Sequence, residues 1–216
     1  VKERLAMAGS YRLSAGGSVK NVTLSQDLDA VQLQLATPLA EGDKVSLTLT
    51  GLTDQTVKRN PLANAVIDFT VVNRRPGIRY ACYEAVLGDP LEAYLKATPA
   101  KTGITEKVDV SVRTRDDQFS LKFDGIIEIP VDGEYTFYTS SDDGSRLYIH
   151  GEPVVRNDGL HGPEEKAGTI RLPAGGHPIT VTFFEEGGGE VITASWQGPG
   201  IDKQEIPAEV LFHIPE

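Results

Sequence analysis

Cysteine is almost absent from these 216 residues, and the single one, Cys82, excludes an intramolecular disulfide. It sits in the alternating stretch Tyr80-Ala81-Cys82-Tyr83, where a buried, inert thiol is expected. No run of about 18 apolar residues occurs, so membrane insertion through a helix is not expected. The opening Val1-Lys2-Glu3-Arg4 lacks both an initiator Met and a signal-peptide pattern, and it reads as a cut from a longer parent chain. Basic charge is also scarce: Lys and Arg number 21 against 31 Asp and Glu, a formal net charge of −10. An acidic chain without a basic run repels phosphate backbones, so nucleic acid is not an expected partner. Catalytic signatures are missing too. There is no Gly-x-Ser-x-Gly, no His-Glu-x-x-His and no glycine-rich phosphate loop. Helical periodicity is confined to a hint over Glu84 to Lys96, interrupted by Gly88-Asp89-Pro90.

What fills the chain instead is alternation of period two. Val31-Leu33-Leu35, Val45-Leu47-Leu49 and Ile67-Phe69-Val71 place apolar residues on one face, with polar residues between. The pattern returns in Phe119-Leu121-Phe123, Tyr135-Phe137, Leu147-Ile149, Ile179-Val181-Phe183 and Ile192-Ala194-Trp196. Successive strand side chains point to opposite faces, so this is how half-buried antiparallel strands read. Turn residues punctuate the runs at Asp132-Gly133, Asp143-Gly144, His150-Gly151 and Ala174-Gly175-Gly176. With 39 % apolar residues there is enough to bury a core, and the expected class is all-β, an antiparallel β-sandwich. Trp196, the lone tryptophan, ends an alternating strand, where packing inside and an exposed aromatic platform are both open readings.

A polar break at Asn73-Arg74-Arg75-Pro76-Gly77 divides the chain into a unit over 1–73 and a unit over 76–216. The first carries Tyr11-Arg12-Leu13-Ser14, Val31 to Leu35, Gly51-Leu52-Thr53-Asp54, Asn60-Pro61-Leu62 and Phe69-Thr70-Val71. In this it resembles bacterial immunoglobulin-like domains of the surface-layer kind, with that family's opening strands missing. The resemblance implies a small immunoglobulin-like β unit acting as spacer or docking partner, with an edge left to be covered.

The segment richest in chemistry is Tyr135 to Ile149, a strand, a polar turn with two adjacent acids, and a second strand. Convergence of the Asp142 and Asp143 carboxylates is costly without a cation, because each disfavours ionisation of the other. Calcium removes that cost, being a hard ion that takes carboxylate and carbonyl oxygens. The competing reading is a solvated hairpin turn, for which Asp and Gly are ordinary residues. Downstream, Glu185-Glu186-Gly187-Gly188-Gly189-Glu190 offers carboxylates beside a backbone free to approach closely, or else a flexible hairpin flanked by acids. Adjacent glutamates on a turn do not face each other across a substrate, so a glycosidase pair is not expected there.

Residues 77–216 resemble a protective-antigen-type (PA-fourteen) domain, the β-sandwich module of anthrax toxin, yeast flocculins and many bacterial glycosidases and adhesins. The matching pieces, in order, are Gly77-Ile78-Arg79-Tyr80, Phe123-Asp124-Gly125, Asp132 to Phe137, Ser141 to Ile149, Asn157 to His161, Leu172 to His177 and Ser195-Trp196. In sugar-binding members paired aspartates hold calcium across a cis peptide, and Asp142 and Asp143 match that pair. The resemblance implies further ligands from the later loop, here Glu185 or Glu186 with Gly187 and Gly189, where flocculin-like members use an Asn. It implies a glycan, oligosaccharide or polysaccharide, seated on the ion through vicinal hydroxyls, with Asn157, Asp158, His161 and Glu190 along the rim. The expected protein is therefore non-enzymatic: a calcium-dependent, lectin-like module of a larger bacterial protein, extracellular, at the cell surface or periplasmic. An accessory domain of a glycoside hydrolase or adhesin fits, with neighbouring domains of the parent chain as partners. The alternative is a structural or protein-binding module with at most a structural calcium ion.

Overall fold

The computed structural model describes residues 8–14, 17–24, 31–52, 61 and 63–215. The chain divides into two compact units, Val1–Asn73 and Arg74–Glu216.

The first unit contains β1 (Tyr11–Leu13), β2 (Val19–Leu24), β3 (Val31–Leu35), β4 (Lys44–Leu49) and β5 (Ala65–Thr70). They form an antiparallel sheet in the order β1-β4-β5 and a separate β2-β3 pair. Tyr11, Val22 and Val45 are buried. The burial expected of β5 is corrected: Ile67 and Phe69 are 51 % and 39 % exposed. Among the described residues β5 is hydrogen-bonded to β4 alone and so forms an edge, and all its residues are exposed. Thr53, Asp54, Asn60 and Leu62 of the immunoglobulin-like pattern lie outside the described residues.

The second unit contains β6 (Arg75–Pro76), β7 (Ile78–Tyr83), α1 (Leu91–Lys96), β8 (Lys101–Thr105), β9 (Phe119–Ile129), β10 (Gly133–Asp142), β11 (Ser145–Ile149), β12 (Glu152–Asn157), β13 (Glu164–Leu172), β14 (Gly175–Glu185), β15 (Val191–Gly198), β16 (Ile201–Glu205) and β17 (Leu211–His213). One sheet runs β13-β10-β15-β16, and the larger runs β12-β11-β14-β9-β17-β6 with β7 and β8 attached along β9. The alternation decides what lies between them. Phe137, Ile192 and Trp196 from the first sheet join Leu121, Phe123, Val181, Phe183 and Leu147 from the second in one buried cluster. Trp196 is 2 % exposed and stacks on Tyr135 with ring centroids 5.8 Å apart, so of its two readings packing is the one observed. Each fully buried Leu or Phe stabilises such a core by about 1.5–3 kcal/mol, so this row outweighs any surface contact in the unit.

Two departures from simple alternation position the site. The inward row of β10 changes from Tyr135 and Phe137 to Thr139 and Ser141 as the strand approaches Asp142, and all four are fully buried. Ser141 and Ser145 hydrogen-bond at 2.7 Å, so the core ends in a polar plug beneath the Asp142 turn. The helical hint over 84–96 is realised only after Pro90. A residue before proline is pushed out of helical geometry, and Ser120 pins the preceding loop. Its hydroxyl accepts the Leu87 N–H at 2.9 Å and donates to the Ala85 carbonyl at 2.8 Å.

Candidate metal centre

Three strand ends meet where β10 runs out, β11 begins and β14 finishes. Asp142 closes β10 and is joined to Asp143 by a cis peptide bond. Glu185 is the last residue of β14, next in the inward row Val181-Phe183-Glu185, and lies opposite Phe119 of β9. Oxygen atoms of the Asp142, Asp143 and Glu185 carboxylates all lie within 4.8 Å of one another. All three residues are buried, Glu185 completely.

The partners of each carboxylate differ. Asp143 is held on both sides: Oδ1 accepts the His161 backbone N–H and Oδ2 accepts the Glu186 backbone N–H, each at 3.0 Å. It therefore ties the 157–162 loop to the 185–190 loop. Asp142 is pushed above the usual carboxylate range by burial first and then by Asp143 and Glu190, with His161 opposing. Glu185 is the extreme case. Both its carboxylate oxygens are buried, and neither finds a hydrogen bond of good geometry. Its pKa is pushed up to about 7 by burial and then by Asp143 and Asp142; the Gly187 and Asp143 amides approach closely enough to oppose the shift in part. A buried carboxylate without a partner is costly, and native structures rarely tolerate one without a function.

Glycines let the backbone close around these groups. A Cβ at Gly189 would come within 3.2 Å of Asp142 Oδ2. One at Gly144 would sit 2.3 Å from the Phe184 ring and 3.0 Å from Asp89 Oδ1, so the Asp143-Gly144 backbone lies flat against β14 and the 84–90 loop.

The structure brings some expected residues together and separates others. Glu185 joins the aspartates, whereas Glu186, one residue past the end of β14, is exposed and contributes its N–H. Gly187 and Gly189 stay beside the cluster, through the amide facing Glu185 and the close approach to Asp142. Glu190 reaches Arg113 at 3.8 Å while still acting on Asp142. Asn157 is corrected from rim to foundation. It is fully buried, and its Nδ2 donates to Ser141 Oγ and the Glu164 carbonyl, both at 3.0 Å, so no ligand at the surface reaches it. Asp158 is engaged by Arg146 in a two-pronged pair of 2.6 and 2.7 Å. The His161 ring is half-buried, with Nδ1 2.9 Å from the Gly162 carbonyl.

One contributor escaped the sequence reading. Asp89, from the loop before α1, has a buried and unpartnered Oδ1, and its carboxyl is raised by burial and by Asp158. Gly88-Asp89-Pro90 reads locally as a turn, and nothing in its neighbours signals the long-range approach to Gly144.

The donor set fits a divalent hard cation. Three carboxylates converge beside a glycine-rich backbone, one of them buried with nothing else to neutralise it. Asp142, Asp143 and Glu185 are the residues that would hold calcium.

An all-β sandwich with a buried three-carboxylate cluster at the ends of its strands is the class of protein that fold and site define. Its family follows from comparison: residues 75–209 match the PA14 domain, and the chain belongs to that family. Among relatives, the anti-sigma-I factor RsgI3 of Acetivibrio thermocellus is 31 % identical over 100 residues, covering 45 % of this chain and 16 % of that protein. An anti-sigma factor domain-containing protein from Clostridium clariflavum superposes with a TM-score of 0.55 at 20 % identity, over 78 % of this chain and 60 % of that one. The PA14 sugar-binding domain of an RTX adhesin superposes with a TM-score of 0.55 at 18 % identity, over 64 % of this chain and 98 % of that domain. The chain thus spans only part of the length of its anti-sigma relatives, and at these identities the structural likeness establishes the fold alone.

Proposed function

We propose that the second unit is a calcium-dependent glycan-binding module of a larger bacterial protein exposed outside the cytoplasm. The observation that carries this reading is Glu185, a fully buried carboxylate whose oxygens find no hydrogen bond of good geometry, set within 4.8 Å of the Asp142 and Asp143 oxygens. Calcium satisfies all three acids at once and accepts further oxygens. Vicinal hydroxyls of a sugar supply such oxygens from the solvent side. The fold shared with a PA14 sugar-binding domain supports the ligand class. Its role is binding and not catalysis, since the buried acids converge on one point and leave no gap for a substrate between acid and base. The first unit serves as a spacer or docking partner within the parent chain.

Isothermal titration with a panel of mono- and oligosaccharides tests the proposal, run in calcium and again after chelation. Binding that appears only with calcium supports it. Binding indifferent to the chelator, or calcium uptake with no sugar bound anywhere in the panel, overturns it.

The relation to an anti-sigma-I factor favours a second reading of the parent protein. There the module would sense a glycan outside the cell and report its occupancy to another domain. The site chemistry is the same in both readings, and the parent's remaining domains distinguish accessory binding from sensing. If the ion binds and no sugar does, a structural calcium that locks the 157–162 and 185–190 loops through Asp143 is the reading that survives.

A further inference from the structure

Resting on the calcium reading above, we infer that this site accepts neutral or ammonium-bearing sugars and discriminates against sugars that carry a carboxylate. The inference comes from a charge count around three side chains. Asp142, Asp143 and Glu185 together carry three negative charges once an ion has displaced their protons, and a divalent ion cancels two. The remainder is poorly dispersed by water, because Glu185 is fully buried and the aspartates nearly so.

Among the described residues, the cations around the cluster are mostly engaged already, Arg156 beside Asp158 being the exception. Arg146 is committed to Asp158 by two short hydrogen bonds of 2.6 and 2.7 Å. Arg113 faces Glu190 at 3.8 Å and Asp116 at 3.0 Å. Asp89 adds a carboxylate whose Oδ1 is buried and unpartnered, close against the Gly144 backbone that follows the paired aspartates. His161 offers its backbone N–H to Asp143 and sets a ring nitrogen against the Gly162 carbonyl. A saccharide that binds through neutral hydroxyls adds no charge to this balance, whereas a uronate adds a repulsive one. An amino sugar in its ammonium form gains instead. At a separation of about 7 Å, with an effective dielectric between about 20 and 80, one unit of excess charge weakens a uronate by about threefold to about sixtyfold.

The test uses the full chain loaded with calcium. Methyl glycosides of glucose, galactose and mannose are titrated against their uronate counterparts and their 2-amino counterparts. The expected order is amino sugar at least equal to neutral sugar, and uronate weaker by the factor above. Replacing calcium with terbium, whose three positive charges balance the three carboxylates, narrows the gap between neutral sugar and uronate; terbium luminescence reports independently that the ion is seated. Glu185→Gln in calcium narrows the gap the same way wherever the variant still takes up the ion. A uronate that binds as tightly as its neutral counterpart overturns this inference and leaves the calcium–glycan reading standing. A gap unmoved by terbium overturns the electrostatic cause and with it the inference. Ion uptake with no saccharide bound, neutral or charged, overturns both.

Discussion

Calcium uptake by this protein is expected to be coupled to the release of a proton from Glu185, and the coupling has a calculable size. The Glu185 carboxyl is raised from an ordinary 4.5 to about 7 by burial and by its two acidic neighbours. An ion must displace that proton, so the apparent dissociation constant rises by the factor 1 + 10^(7 − pH) as pH falls. Between pH 8 and pH 6 this is about tenfold, or about 1.4 kcal/mol. The same relation gives about 0.9 proton released per ion at pH 6 and about 0.1 at pH 8. Asp142, also raised, steepens the dependence at lower pH. Calorimetric titration at both pH values, in buffers of differing ionisation enthalpy, yields affinity and proton count together. Without the ion the sign reverses. The folded, chelated protein holds the Glu185 proton more tightly than the unfolded chain. Burial of the charged form therefore opposes folding above pH 7, and the penalty is relieved as pH falls from about 7 towards 4.5. Glu185→Gln is thus expected to stabilise the chelated protein at pH 8, by at most about 3 kcal/mol, and to weaken calcium binding and flatten its pH dependence. Wild-type affinity equal at pH 6 and pH 8, or a full pH dependence retained in Glu185→Gln, would refute the reasoning.

Asp142 and Asp143 are expected to separate in their effects, since only Asp143 anchors backbone. Asp142→Asn weakens calcium binding without lowering the melting temperature in chelator. Asp143→Asn weakens binding and also costs about 1–2 kcal/mol in chelator, because an amide cannot accept both the His161 and Glu186 N–H groups; equal melting temperatures for the two variants would contradict this. Gly144→Ala drives a methyl into Phe184, lowering stability by about 1–3 kcal/mol and displacing Asp143, as thermal unfolding and calcium titration together would register. His177, buried with Nδ1 2.7 Å from His150 Nε2 and Nε2 2.8 Å from the Pro173 carbonyl, has its pKa lowered chiefly by burial. Its contribution to stability is present above about pH 6.5 and lost as pH falls below that value, where the unfolded chain takes up a proton first. NMR titration of the His177 ring is expected to show a midpoint below the ordinary histidine value, and a midpoint at or above it would remove the argument.

How much of this was legible in the sequence depended on whether a residue's role was local. The strands of the second unit were readable because alternation is imposed by the pleat. The helical hint over 84–96 was legible with its interruption at Gly88-Asp89-Pro90, but not what holds the 84–90 segment, because its partners, Ser120 and Gly144, lie far along the chain. The Asn157 rim was misread for a related reason. An amide side chain looks the same in sequence whether it meets a ligand or supports a buried serine, and only burial separates the two. Asp89 carried no local signal at all. Between Glu185 and Glu186 the sequence left the choice open. Val181 and Phe183 put Glu185 on the inward row of β14, but Thr182 and Phe184 are buried as well, so it is the end of the strand at Glu185 that leaves Glu186 exposed. An acid placed on the buried parity of a strand is more informative than an acid in a loop. The pattern that builds the core would exclude it unless something compensates its charge. Here the alternation breaks at the strand end where two other acids converge, so the violation and its compensation lie in one place. The metal reading rests on that coincidence more firmly than on the paired aspartates, which in isolation remain an ordinary acidic turn.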